Sequence, residues 1–189
     1  MKSMTHPDKE SLRRAIQSKL KAQSSGEREK RSLSIEKKLF TLDVFKKAVS
    51  VCFYVSTPWE VDTTSMIDNS LKAGKRVLAP LSNLENKELE LYEITNSRAD
   101  LKKGAFGIME PLPERTRRAS PETLDCVVIP GIVFDREKNR IGRGKGFYDR
   151  FLSQLSPRVS KIGLSFSFQV VSNIPIESHD VKLDFVLTD

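Results

Sequence analysis

The residues best equipped for chemistry lie together between Asn139 and Arg150, in the run N-R-I-G-R-G-K-G-F-Y-D-R. Gly142, Gly144 and Gly146 alternate there with Arg143 and Lys145, and Phe147, Tyr148 and Asp149 follow. Glycine lacks a Cβ, so this backbone can take positive φ and lie close against a ligand. Two cations set between the glycines select an anion. A helix starting near Phe147 would aim its unpaired N–H groups and the positive end of its dipole at the same place. The stretch reads as a phosphate cradle with a metal-binding carboxylate, Asp149, at its exit. It fits neither standard nucleotide fingerprint: the third glycine of G-x-G-x-x-G would fall at Phe147, and Lys145 is followed by Gly146 rather than Ser or Thr. A flexible basic loop ahead of a helix would show the same composition, so the rest of the chain must decide.

Two other segments carry candidate groups. Ser56 to Asp62 holds the one tryptophan of the chain, Trp59, beside the carboxylates Glu60 and Asp62. A flat aromatic next to an acid suits a heteroaromatic substrate, although a Trp on a loop also serves as a cover over core. Near the start, Lys9 and Arg13 are four residues apart and project side by side from one helix. A solvated basic face would look alike. His179 and Asp180 read as a turn before the last strand.

These groups need elements to hold them. After a short disordered start, Pro7-Asp8 opens a helical pattern with Leu12, Ile16 and Leu20 at every fourth position, broken at Ser24-Ser25-Gly26. A weaker helix carries Leu33, Leu39 and Phe40. From Ala48 to Val55 the run AVSVCFYV is a buried strand, Thr63 reads as the N-cap of a helix through Leu71 that Gly74 closes, and Arg76 to Pro80 is a second strand. Strand, helix and strand in about 30 residues form a right-handed βαβ unit with a parallel pair, whose ligands bind at the carboxyl ends of the strands. Leu89 to Ile94 alternates as a half-exposed antiparallel strand. Leu101 to Pro113 is expected as an ordered loop, and the run holding Arg115, Arg117 and Arg118 as plain surface. Cys126 to Ile129 is another central strand, and Phe134-Asp135 leads into a turn. A helix from Phe147 to Leu155 follows, then strands at Lys161–Phe166 and Phe185–Leu187. Residues 1–189 read as a single α/β layered domain.

Composition bounds the partners. With 189 residues, 38% hydrophobic and 30% charged, the chain can bury a full core. A formal net charge of +7 favours anionic partners. Cys52 and Cys126 sit inside apolar strands without metal-ligand spacing, and no apolar run approaches membrane-spanning length. The expected place is the cytoplasm, with no membrane partner.

Taken in order, five pieces resemble the 5-formyltetrahydrofolate cyclo-ligase (methenyltetrahydrofolate synthetase) family: K-E-S-L-R from Lys9, Y-V-S-T-P-W-E-V-D-T from Tyr54, F-G-I-M-E-P from Phe106, I-P-G-I-V-F-D from Ile129 with the glycine loop after it, and H-D-V-K-L-D from His179. The resemblance implies a three-layer α/β/α sandwich with a central, largely parallel (mixed) sheet. It implies that 5-formyltetrahydrofolate and ATP become 5,10-methenyltetrahydrofolate, ADP and phosphate with Mg²⁺, through a phosphorylated formyl group. It puts Lys9, Arg13 and the loop Arg140, Ile141, Gly142, Arg143, Gly144, Lys145, Gly146, Phe147 and Tyr148 on ATP. Val55, Glu60, Lys145 and Tyr148 fall to the folate, Arg143 and Lys145 to catalysis, and Asp149 and Asp184 to magnesium. A monomer is expected, on a substrate that a chain of net charge +7 could also take polyglutamylated. The family often has Tyr-Tyr where Phe147-Tyr148 stands, which leaves stacking but no hydroxyl at 147.

Other readings predict other features. A sugar-phosphate isomerase or acyl-CoA enzyme would want a glutamate nucleophile or base beside the glycine loop, which is absent from that stretch. A nucleic-acid module would interleave aromatics with its basic residues as stacking platforms, and this chain does not. Removing one donor that neutralises transferring phosphate typically costs about 10² to 10³ in rate. Lys145→Ala is therefore expected to lose about that factor in turnover with ATP and 5-formyltetrahydrofolate, and a loss below about tenfold would take Lys145 out of the chemistry.

Overall fold

The computed structural model describes residues 8–104 and 107–189. The expected disordered start, Pro7, and Phe106 of the F-G-I-M-E-P piece lie outside them. The first quarter of the chain is helical, with α1 (Lys9–Ala22), α2 (Ser25–Thr41) and α3 (Asp43–Lys47). Then come β1 (Ser50–Phe53), α4 (Thr64–Lys72), β2 (Arg76–Asn83), β3 (Glu88–Ile94), β4 (Leu101–Lys103), β5 (Met109–Pro111) and β6 (Arg117–Ala119). The last third runs β7 (Cys126–Ile129), β8 (Val133–Asp135), β9 (Arg140–Ile141), α5 (Phe147–Gln154), β10 (Ser160–Ser165), β11 (Val170–Val171) and β12 (Phe185–Thr188).

The short apolar runs pair into a seven-stranded sheet in the order β12-β10-β7-β1-β2-β3-β6. The first five strands are parallel, and β3 and β6 are antiparallel additions at one edge. Because successive residues of a strand face opposite sides, one register serves two cores. Val51, Phe53, Val77 and Val128 pack with Ile16, Ile35, Leu39, Met66 and Ile67 of the helices before β2. Cys52, Leu78, Val127 and Ile129 pack with Phe151, Leu152 and Leu155 at α5. This is the expected three-layer α/β/α arrangement with a mixed, mostly parallel sheet.

Several local expectations are corrected or refined. The Ser24-Ser25-Gly26 break does separate α1 from α2, and it takes the form of a capping box: the Ser24 hydroxyl accepts from Glu27 N–H, and the Glu27 carboxylate accepts from Ser24 N–H. Leu33 is 46% exposed, and Ile35 fills the core position instead. Thr63 does not cap α4 through its side chain. Its hydroxyl donates to the Tyr54 carbonyl at 2.8 Å, and Asp62 takes the Thr64 N–H at 3.0 Å. The Leu101–Pro113 segment is a hairpin, β4 with β5, in which Leu101 pairs with Pro111. Strands of three residues between glycines and prolines leave too few positions for a period to show. Arg117 and Arg118 are exposed, as expected, and belong to β6, where charge on an edge strand discourages pairing with another chain.

Gly163 of β10 lies against two side chains of the second core. A Cβ there would stand 2.7 Å from Leu183 Cδ1 and 2.8 Å from Phe134 Cε1, and both of those side chains are buried. Gly163→Ala is expected to destabilise the fold by about 1–3 kcal/mol through overpacking, seen as a lower urea midpoint at unchanged slope.

Candidate active site

Two chain segments leave the large sheet at neighbouring carboxyl ends and meet the glycine loop, which follows β9 of a separate three-stranded sheet. Tyr54 and Val55 continue from β1, Pro130, Gly131 and Ile132 continue from β7, and the glycine loop joins β9 to α5. Between them, and under Ile108 and Met109 of the β4–β5 hairpin, is a pocket of about 850 Å³ including its open mouth. Its walls are mainly apolar, with Glu60, Glu110, Arg140, Arg143, Lys145 and Asp149 as the charged exceptions. That combination suits a large, flat, partly polar ligand.

The loop owes its shape to two left-handed residues, Gly144 (φ +85°) and Gly146 (φ +72°), the second being the N-cap of α5. Arg143 thereby points across the pocket mouth. Its Nη2 donates to Glu60 Oε1 at 2.8 Å and to Thr57 Oγ1 at 3.1 Å. Glu60 is itself buried and oriented by the Thr57 N–H and hydroxyl, at 2.9 and 3.0 Å. Lys145 is exposed beside it. On the pocket floor Arg140 donates to Asp149 Oδ1 and lies over the Tyr148 ring, 5.8 Å from its centroid. Burial pushes the Tyr148 phenol well above its ordinary pKa, with the nearby Cys52 thiol and the Glu60 carboxylate adding to the shift, so the hydroxyl stays a proton donor at neutral pH.

Helix α1 docks against the back of the loop. Arg13 Nε donates to the Gly142 carbonyl at 3.0 Å, and Gly144 lies against the Arg13 guanidinium. Lys9 is gripped by Asp180 at 2.7 Å and Glu177 at 2.9 Å. Burial lowers the Lys9 ammonium pKa, but bonds to Asp180 and Glu177 outweigh it and the net shift is upward. Burial likewise raises the Asp180 carboxyl, and the bonds from Lys9 and the Glu177 N–H reverse that, holding it below the usual carboxylate range.

The structure brings Val55, Glu60, Arg140, Gly142, Arg143, Gly144, Lys145, Gly146, Phe147, Tyr148 and Asp149 to one pocket. Arg13 and Lys9 stand behind it, and Ile141 turns its side chain into the core. Asp184 does not join Asp149. It sits at the amino end of β10, where its carboxylate accepts the Lys161 N–H at 2.7 Å, while the pocket opens at the carboxyl ends of the parallel strands. The expectation that the last strand carries Asp184 to the start of α5 fails because β12 runs parallel to β10 and begins at its far end. Asp180, read as part of a mere turn, is the acid of that tail which reaches α1. Glu110 was also missed as a site residue, although it lies in one of the motif pieces. It is a buried carboxylate whose Oε1 accepts Ser82 N–H at 3.1 Å, tying the hairpin to β2. Trp59 is 45% exposed beside the pocket mouth.

For a divalent ion, the fitting group is Asp149. Its carboxylate is a hard oxygen donor on the pocket wall and already pairs with a cation, Arg140. Among the described residues no group of three or more His, Cys, Asp or Glu could hold a metal. Magnesium asks for no such cage, since one or two carboxylates with phosphate oxygens and water suffice.

Residues 5–189 match the model of the 5-formyltetrahydrofolate cyclo-ligase family. The 5-formyltetrahydrofolate cyclo-ligase of Mus musculus is 30% identical over 187 residues, covering 95% of this chain and 92% of the relative. Among solved structures, the 5,10-methenyltetrahydrofolate synthetase of Aquifex aeolicus superposes with a TM-score of 0.82 at 36% identity, over 95% of this chain and 89% of the other. The synthetase of Mycoplasma pneumoniae gives 0.78 at 27% identity, over 96% and 98%.

The Lys9–Asp180 clasp has a pH signature. With its folded pKa depressed, Asp180 contributes stability that is full above the ordinary aspartate value, about 3.9, and lost as pH falls through the lower folded value. The thermal midpoint is expected to drop in that acid window, and Asp180→Asn should flatten this part of the profile.

Proposed function

The chain belongs to the 5-formyltetrahydrofolate cyclo-ligase family, and from that premise we propose that it couples ATP to the cyclisation of 5-formyltetrahydrofolate, with Mg²⁺ required. The γ-phosphoryl group passes from ATP to the formyl oxygen, with ADP leaving. The N10 nitrogen then attacks the activated carbon, the C–O bond breaks to release phosphate, and N10 gives up its proton to leave 5,10-methenyltetrahydrofolate.

One observation carries this reading: a single pocket joins an apolar slot to a glycine loop bearing Arg143 and Lys145. Phosphoryl transfer needs chiefly positioning and charge neutralisation. The N–H groups at the start of α5, with Lys145 and Arg143, meet that need at one end of the pocket. Glu60, Val55 and the Tyr148 hydroxyl face the folate, with Glu60 in direct contact with Arg143 where the two parts of the pocket meet. Asp149 is the residue to hold the magnesium ion, which when bound would neutralise phosphate charge. Glu60 cannot accept from the folate with its full capacity while Arg143 occupies Oε1, so substrate entry and rearrangement of that ion pair go together.

Purified protein with ATP, Mg²⁺ and 5-formyltetrahydrofolate should generate the absorbance of the methenyl product, and leaving out any one of the three should abolish it. Product formation without ATP or without Mg²⁺ would overturn the coupling. No product from the complete mixture would overturn the reading as a whole.

A further inference from the structure

Arg140 occupies a place built around it. Its side chain is 3% exposed. A Cβ at Gly142 would stand 2.7 Å from its Nη1, and one at Gly131 would stand 3.0 Å from its Cγ. Nη2 donates to Asp149 Oδ1, and Nη1 reaches the Pro130 carbonyl at a long 3.4 Å. The Nε–H is buried and meets no acceptor among the described residues. A guanidinium does not lose its charge and offers its donors as a rigid fork shaped for phosphate. Arg140 is therefore a fixed cation on the pocket wall with one strong bond, to the carboxylate best suited to a metal, and one donor still to be satisfied.

We propose that Arg140 is a stand-in for the divalent cation: it holds Asp149 in the free protein, and an arriving phosphate group takes the guanidinium over and hands the carboxylate to the metal. The inference rests on the proposed use of ATP and Mg²⁺. Two cations on one half-buried carboxylate repel, so metal alone binds weakly. Nucleotide alone must break the Arg140–Asp149 pair and leave the acid without its partner. Each ligand removes the obstacle to the other, which is positive coupling between two sites. The second acid near Arg140 is Asp180, which also acts on its charge but is already claimed by Lys9.

The exchange makes a prediction of unusual sign. In EDTA, the Asp149→Asn variant (D149N) should bind metal-free ATP more tightly than the wild type, by about tenfold, because Arg140 is already released from a charged partner. Mg²⁺ should strengthen ATP binding to the wild type and not to D149N. Removal of a negative charge near a phosphate would by itself raise affinity, so R140Q and R140Q/D149N complete the cycle: without Arg140 the gain from D149N should shrink to that charge effect alone. Calorimetric titration of each folded variant reads the affinities. An unchanged or weaker D149N, or an equal gain in both backgrounds, overturns the exchange while leaving ATP binding intact. Failure of the wild type to bind ATP even with Mg²⁺ overturns the ATP reading itself. If D149N does not fold by circular dichroism, arginine side-chain NMR of the wild type decides: the Arg140 Nε–H resonance, identified by its loss in R140Q, should shift on addition of metal-free ATP, and a stationary resonance overturns the proposal.

Discussion

The ion pair between Arg143 and Glu60 closes the site, and the arrangement around it exists to make that contact possible. The partners are 83 residues apart in sequence and 2.8 Å apart in space. Arg143 reaches across because the chain turns through left-handed geometry at Gly144 and Gly146. A side chain at either place would cost roughly 1–2 kcal/mol in backbone strain. Glu60 waits at the right height because Thr57 pins its other oxygen. Parallel strands β1 and β7 are immediate neighbours, so the loops leaving their carboxyl ends share one rim.

A second regularity is that four basic residues in and behind the site are already engaged by the protein's own groups. Arg143 is matched by Glu60, Arg140 by Asp149, and Lys9 by Asp180 and Glu177. Arg13 spends its Nε–H on a loop carbonyl. Removing one member of such a pair leaves the other partly desolvated and alone, which costs more than the pair contributes. An anionic ligand therefore meets an electrostatic frame already at work on the protein's own acids. On the proposed exchange, binding swaps partners, and selectivity depends on which acid is displaced and what takes its place. That distinguishes this pocket from a simple basic patch, whose charges are all available and whose ligands are chosen by charge alone.

Much of the molecule was legible before any coordinates. The four-residue period of α1, the switch to short apolar strands at β1, the βαβ crossover and the composition of the glycine loop each follow from local chemistry, and the five ordered motif pieces named the family. What escaped had a physical reason in each case. The β4–β5 hairpin and β6 are three-residue strands, too short to show a period, and they form because neighbouring strands offer them backbone partners. Thr63 does hold the N-cap position of α4, as threonine favours, but its hydroxyl donates to the Tyr54 carbonyl and makes no capping bond.

The sequence by itself determined the elements, the family and the basic glycine loop, because these rest on backbone preference, hydrophobic period and residue type over a few positions. Only the tertiary structure decided which acid faces which cation. Asp180 and Asp184 are separated by three residues in one short tail, yet one clasps Lys9 and the other bonds to the start of β10. Strand direction made that choice: β12 runs parallel to β10, so the residue at its beginning is carried to the amino end of the sheet, away from the pocket. No property of the aspartate itself encodes that distance.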